Sequence, residues 1–418
     1  MNDQHQEQLN SIARHNGSVL KKFMTLLLLG FGAACFVFGI KFVNEYDKPI
    51  LLSPIDFNTF VSPTAGTSSA RVQPQSVQQK VIYGFLPYWT IKNATFDSSL
   101  THIGYFSLPI DKNGNFVTST DDAATGWKTF RTDAVERVRQ ETTKNNQKFE
   151  VLITMMDADD IASFLHNAKA QDTFIKNVKM FIKSQPVDGI NLDIEYAGEV
   201  DDKLRNEYTT FISKFSKSMR ASFPSLHISL DIFADSALKY RIWNLPQLAP
   251  FVDHIVVMTY DFFRSSSSQS GPVAPLFGSE KNRWDVDIVK TLKPMLDQVP
   301  SEKILLGIPF YGYEWQTVGS APGSNTFPQT GGLATYKRVK KLLEEKNIKE
   351  QWDADAFSPY LTYIDKGKIQ TIFYENALSL SYKLDLVRET NMGGIAIWAL
   401  GYEGSGPELW HVIRQKLR

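Results

Sequence analysis

Cysteine is almost missing from this chain of 418 residues: Cys35 stands alone, so no internal disulfide and no cysteine-based metal site can form. Net charge is missing as well, since 45 Lys and Arg are matched by 45 Asp and Glu, which removes a general electrostatic case for binding nucleic acid. No Gly-rich phosphate loop follows the first apolar strand pattern, no Gly-x-Ser-x-Gly elbow occurs, and no His-x-x-x-His pair appears. Nucleotide binding, Ser-His-Asp hydrolysis and metal-dependent hydrolysis therefore all lack their sequence signatures, and neither a metal nor a cofactor is expected. No repeat of solenoid length is present.

Long apolar runs are rare too, with one exception. Residues 23–40 hold no charge, and Thr25 is their only clearly polar member. A helix of that length covers about 27 Å against a hydrocarbon core of roughly 30 Å, so residues 23–43 are predicted to be a transmembrane signal-anchor. No clear small-x-small site ends the run, which argues against a cleaved signal peptide. Arg14, Lys21 and Lys22 precede it, whereas Lys41 and Lys48 beyond it are offset by Glu45 and Asp47. The positive-inside rule then leaves residues 1–22 in the cytoplasm and everything after residue 43 outside. Residues 44–78, rich in Ser, Pro, Thr, Gln and Gly, are predicted to be a flexible linker spanning about 30 Å root-mean-square.

What the chain has in plenty is aromatic rings and alternating apolar segments. Eight Trp, sixteen Tyr and 28 Phe suit either a large core or a carbohydrate cleft, where sugars stack their apolar faces on rings. From Val81 onward, strand patterns at 81–86, 102–108, 149–155, 189–195, 227–232, 254–259, 304–308 and 394–398 alternate with amphipathic helices. The helices fall at 132–144, 162–183, 203–221, 284–296 and 377–389. Eight strands with intervening helices predict an α/β fold, a (β/α)₈ TIM barrel over residues 79–418. The seventh unit is too long: a helix at 336–345 and a hairpin of 360–364 with 368–373, joined at Asp365-Lys366-Gly367, predict a small α+β insertion at about 316–373.

In such barrels the site forms at the C-terminal strand ends, and the residues expected there are carboxylates, phenols and indoles. Tyr88 and Trp89 follow the first strand, Asp193 and Glu195 end the fourth, and Asp231 lies in the fifth as a site residue or a satisfied barrel carboxylate. Tyr260 and Asp261 follow the sixth, Tyr311 and Tyr313 the seventh, and Trp398 ends the eighth. Within the fourth strand, a two-residue period puts Asn191, Asp193 and Glu195 on one face and Ile190, Leu192 and Ile194 on the other. Asp193 and Glu195 repel as dianions, so one carboxyl is expected to stay protonated more readily, and Glu195, nearer the mouth, is the natural proton donor.

The segment Asp188-Gly189-Ile190-Asn191-Leu192-Asp193-Ile194-Glu195 resembles the Asp-Gly-x-Asp-x-Asp-x-Glu signature of the family 18 glycoside hydrolases, the chitinase family. Met258-Thr259-Tyr260-Asp261, Gly307-Ile308-Pro309-Phe310-Tyr311-Gly312 and Gly394-Ile395-Ala396-Ile397-Trp398 are similar to that family's sixth-, seventh- and eighth-strand elements, in the same order. The resemblance implies substrate-assisted retaining cleavage of β-1,4-linked N-acetylglucosamine glycans, chitin or peptidoglycan. It implies that Glu195 protonates the glycosidic oxygen, Asp193 orients the substrate's acetamido group, and Tyr260 hydrogen-bonds its carbonyl. Trp398 would floor the cleft, with Asp261, Tyr311 and Trp89 more loosely lining it; Asn191, grouped with these substrate-binding residues, is expected to hold Asp193 by a hydrogen bond without adding charge. Asn191 stands where the family commonly has Asp, and no Ser-x-Gly-Gly marks the third strand, where Leu152-Ile153-Thr154-Met155 is found. A second reading is a surface lectin that keeps the cleft without the chemistry; retention of Glu195 speaks against it.

Overall fold

The computed structural model describes residues 79–418 apart from 93, 120–124 and 282. The predicted anchor at 23–43, the segment before it and the linker at 44–78 lie outside the described residues. Among those described, no helix is long and apolar enough to cross a membrane.

Eight parallel strands close into a barrel. They are β1 (Val81–Pro87), β2 (His102–Pro109), β3 (Lys148–Met155), β4 (Gly189–Ile194), β5 (His227–Phe233), β6 (His254–Met258), β7 (Ile304–Pro309) and, after the insertion, β13 (Gly394–Trp398). The order around the barrel is β1-β13-β7-β6-β5-β4-β3-β2, so each strand pairs with its neighbour in sequence and β13 closes the ring against β1. Alternation then sorts the side chains. Ile190, Leu192 and Ile194 of β4 are buried on its outer, helix-facing side, while Asn191 and Asp193 point into the barrel. Tyr83, Phe85, Leu152, Val256, Leu305 and Ala396 fill the interior as an apolar plug.

The helices cover the outer face with stripes of the expected period. The helix Asp202–Ser222 buries Leu204, Tyr208, Phe211, Ile212, Phe215 and Met219, and the Asp201 carboxylate caps it by accepting from the Leu204 N–H at 2.7 Å. The helix expected at 162–183 is two helices, Ala158–Leu165 and Ala168–Ser184. Asn167 breaks it: its side chain accepts from the Lys169 and Ala170 N–H groups, a competing local cap that the continuous apolar stripe conceals. The helix expected at 284–296 begins only at Ile288, because Asp287 caps it through the Lys290 N–H. Trp284 is instead packed edge-on against the Phe263 and Phe373 rings.

The insertion starts earlier than expected, at residue 311. Strand β8 (Tyr311–Gln316) joins β9 (Gly332–Thr335), β10 (Gln351–Asp353), β11 (Ser358–Asp365) and β12 (Lys368–Phe373) in a five-stranded sheet ordered β10-β11-β12-β8-β9. The β11–β12 hairpin turns at Lys366 and Gly367, both at positive φ (47° and 75°), as a twisted two-residue turn needs. Where the chain returns to the barrel, Glu375 accepts from Lys383 Nζ at 2.7 Å, and both side chains are buried. Burial pushes the Glu375 carboxyl up and the Lys383 amine down, and the attraction between the two opposes both shifts. Lys383→Met is expected to lower unfolding stability by roughly 3–5 kcal/mol, read from the urea midpoint. The double replacement Glu375→Leu with Lys383→Met should recover most of that loss.

Candidate active site

The barrel's C-terminal mouth opens into a cleft of about 790 Å³, lined among others by Asp193, Glu195, Asp231, Tyr260, Asp261, Tyr311 and Trp398. Strand β4 delivers the first two. Its start is fixed by Asp188, whose carboxylate accepts from the Phe149 N–H at 2.8 Å, a purely structural contact that sets the β3–β4 register. Its end is fixed by the Glu195 N–H donating to the Met155 carbonyl at 3.0 Å, so Glu195 leaves the strand with its backbone still held.

Carboxylates withdrawn from water inside the ring govern the electrostatics. Asp193 is 3% exposed, and burial pushes its carboxyl well above the usual range, with Asp231 and then Glu195 adding repulsion. Asp231, also 3% exposed, is raised in the same way by burial; the hydrogen bond from Asn191 opposes the shift. Burial thus biases both carboxyls toward the neutral form, and their mutual repulsion adds to the bias on Asp193. Burial also raises Glu195, the Arg264 guanidinium pulls it back down, and Asp261 pushes it up.

Aromatic groups complete the walls. Tyr260 and Tyr311 are raised well above their ordinary values, chiefly by burial, and so remain hydrogen-bond donors. Asp261 adopts a left-handed backbone (φ 60°), an uncommon conformation for a non-glycine residue, and accepts from the Tyr311 hydroxyl at 2.5 Å and the Tyr313 hydroxyl at 3.0 Å. Trp398 stands edge-on to Phe106, ring centroids 4.8 Å apart, and tilted against Phe85 at 5.6 Å.

Of the residues expected to bind substrate, one lies beneath the cleft and one at its rim. Asn191 is fully buried beneath the cleft, its Nδ2 donating to Asp231 Oδ1 at 2.7 Å and to Ser229 Oγ at 3.0 Å, so it supports the acids and cannot touch a ligand. Trp89 stands at the rim, about half exposed, with its indole N–H donating to the Tyr402 hydroxyl at 3.3 Å. Sequence reasoning missed Arg264, whose only signal is its place three residues after Asp261 in the same loop. It also missed a buried group at the opposite end of the barrel, made of His102, Glu150 and His227, with His254 behind His227. There the signal was plain: β2, β5 and β6 each open with histidine. Burial lowers His102 to about 4 and His254 to about 3, whereas Glu150 holds His227 above its ordinary value against burial.

A parallel barrel whose mouth gathers dry, mutually repelling carboxyls among phenols and an indole is built for acid chemistry on a ligand held against rings. The chain belongs to glycosyl hydrolases family 18, whose profile matches residues 76–403, and it is a glycosidase. It is 23% identical over 372 residues to the cortical fragment-lytic enzyme of Bacillus anthracis, covering 83% of this chain and 73% of that one. To the di-N-acetylchitobiase of Homo sapiens it is 24% identical over 258 residues, 56% of this chain and 66% of that one. In fold it is similar to the Group IV chitinase of Ostrinia furnacalis, crystallised with allosamidin, with a TM-score of 0.69 at 20% identity over 81% and 97% of the two chains. The spore cortex-lytic enzyme of Bacillus megaterium matches with a TM-score of 0.62 at 20% identity over 86% and 80%.

The Asn191–Asp231 contact generates a prediction about charge. Asn191→Asp places a further acid beside Asp231 in a dry site, so its folded pKa rises above the unfolded value of about 3.9. An acid raised on folding destabilises the native state above the unfolded pKa, and the penalty fades as pH falls through that region. Relative to the parent, the variant is expected to lose roughly 1–3 kcal/mol at pH 7 and much less near pH 4, measured by urea unfolding at both pH values.

Proposed function

We propose that the protein hydrolyses β-1,4-linked N-acetylglucosamine glycans outside the cytoplasm, tethered to the membrane by residues 23–43. The observation that carries this reading is the cleft itself: Glu195 and Asp193 face one cavity with Tyr260 and Trp398, and both carboxyls are biased toward the protonated state. Glu195, the more accessible of the two, is the proton donor to the glycosidic oxygen. As that bond breaks, the substrate's own acetamido carbonyl attacks the anomeric carbon from the opposite face, leaving a cyclic intermediate that water opens with retention. Asp193, protonated with Asp231 as its neighbour, hydrogen-bonds and orients the acetamido group. Tyr260 donates to the carbonyl oxygen, and Trp398 supports the apolar face of the sugar. Asp261, Tyr311 and, at the rim, Trp89 complete the contacts.

Support for the substrate class comes from the family and from relatives whose names state chitobiase, chitinase and cortex-lytic activities. A tobacco class V chitinase of the same fold has been crystallised with a four-sugar N-acetylglucosamine chain. The anchor and linker suit a glycan layer close to the membrane, within the roughly 30 Å reach of the tether. In the full-length protein, Glu195→Gln is expected to cut turnover of chitooligosaccharides or purified peptidoglycan by at least about 100-fold while leaving ligand binding within a few-fold. The test is product formation beside equilibrium binding on both substrates. Undiminished turnover in the variant contradicts the mechanism, and binding without turnover by the parent favours the lectin reading.

A further inference from the structure

The residues at the barrel's N-terminal end lie outside the lining of the cleft. His102 opens β2, Glu150 lies in β3 and His227 opens β5, and the plug of Phe85, Leu152, Val256 and Leu305 lies one inward-facing layer further along the strands toward the mouth. All three side chains are at least nine-tenths buried, at 5%, 0% and 6% exposure for His102, Glu150 and His227. A pair of imidazoles and a carboxylate sealed from water need satisfied polar atoms. Here they turn to one another, with the Tyr83 hydroxyl beside the same carboxylate. His227 Nδ1 lies 2.7 Å from Glu150 Oε1 and His102 Nε2 lies 3.7 Å from it, so both rings aim at one carboxylate oxygen.

Three donor atoms, one from each residue, converge within 4.8 Å of one another in a buried site. We propose that His102, Glu150 and His227 bind one divalent transition-metal ion, with zinc the best chemical match, as a structural site locking the N-terminal ends of β2, β3 and β5. Two imidazoles and one carboxylate are an established zinc donor set, and tetrahedral bonds of about 2.0–2.2 Å put donors roughly 3.3 Å apart, so small side-chain movements close the shell.

The rings are already oriented from behind. His102 Nδ1 meets the Thr101 hydroxyl at 2.7 Å, and His227 Nε2 meets His254 Nδ1 at 2.7 Å, which leaves the other nitrogen of each ring facing Glu150. Space is kept clear as well. A Cβ at Gly189, on the intervening strand β4, would lie 2.5 Å from the Glu150 carboxylate, and one at Gly104 would lie 2.2 Å from the Tyr83 hydroxyl. That hydroxyl is buried against the Glu150 carboxylate, so it or a water is placed to be the fourth ligand.

The test uses the full-length protein purified without a polyhistidine tag, stripped with EDTA, then dialysed against zinc. About one zinc ion per chain by mass spectrometry is expected, with a melting temperature roughly 5 °C above that of the stripped protein at zinc well over its dissociation constant. Glu150→Gln and His227→Asn should each reduce retained zinc at least tenfold. Should either variant fail to fold, cobalt substitution of the parent supplies an independent readout: visible absorption of a low-coordinate histidine–carboxylate site. No retained zinc and no thermal shift in the parent, or zinc retained equally by folded variants, would overturn the proposal.

Discussion

Everything at the mouth of this barrel depends on the cost of taking carboxylates out of water. A strand whose inner face carries Asn191, Asp193 and then Glu195 brings acids into a ring of backbone where solvation is poor. Burial raises all three of Asp193, Asp231 and Glu195, and repulsion from neighbouring carboxylates adds to it. Acids that resist ionisation can donate protons at neutral pH, so a penalty to folding becomes the source of reactivity. The rest of the cleft offsets that penalty: Asn191 donates to Asp231, Arg264 moderates Glu195, and Tyr311 and Tyr313 hold Asp261.

Asn191 shows how the load is distributed. The family commonly carries another acid at this position, and here an amide contributes hydrogen bonds without adding charge. The second carboxyl instead sits on β5, at Asp231, whose Oδ1 accepts from the amide at 2.7 Å. The proton partner of Asp193 is therefore best sought across the strand gap and not along its own strand. This transfers a feature expected of one strand to the contact between two, which no single-strand motif can express.

How much of this was legible in the sequence follows from the range of each interaction. Two-residue alternation in β4 and the order of eight strands are local patterns, and they specify the barrel and the face on which Asp193 points. Helix boundaries were less legible where a polar cap competed with a continuous apolar stripe, as at Asn167 and Asp287. The start of the insertion was missed because Tyr311–Gln316 follows β7 almost without a break, and only pairing with β12 and β9 assigns it to the second sheet. Asn191 was expected to hold Asp193 on its own strand, whereas its amide donates to Ser229 and Asp231 on β5, because alternation gives a side chain's direction but not its partner across the sheet. The histidines at the barrel floor were visible one by one; only closure of the sheet brings His102 and His227 to the same carboxylate.

The central claim is that Glu195 acts as acid while the substrate's acetamido group, steadied by Asp193, acts as nucleophile. The most direct measurement is the anomeric configuration of the first-formed product, followed by proton NMR on a chitooligosaccharide before mutarotation. A β-anomer appearing first is the predicted result. An α-anomer appearing first would mean direct attack by water and would contradict the account.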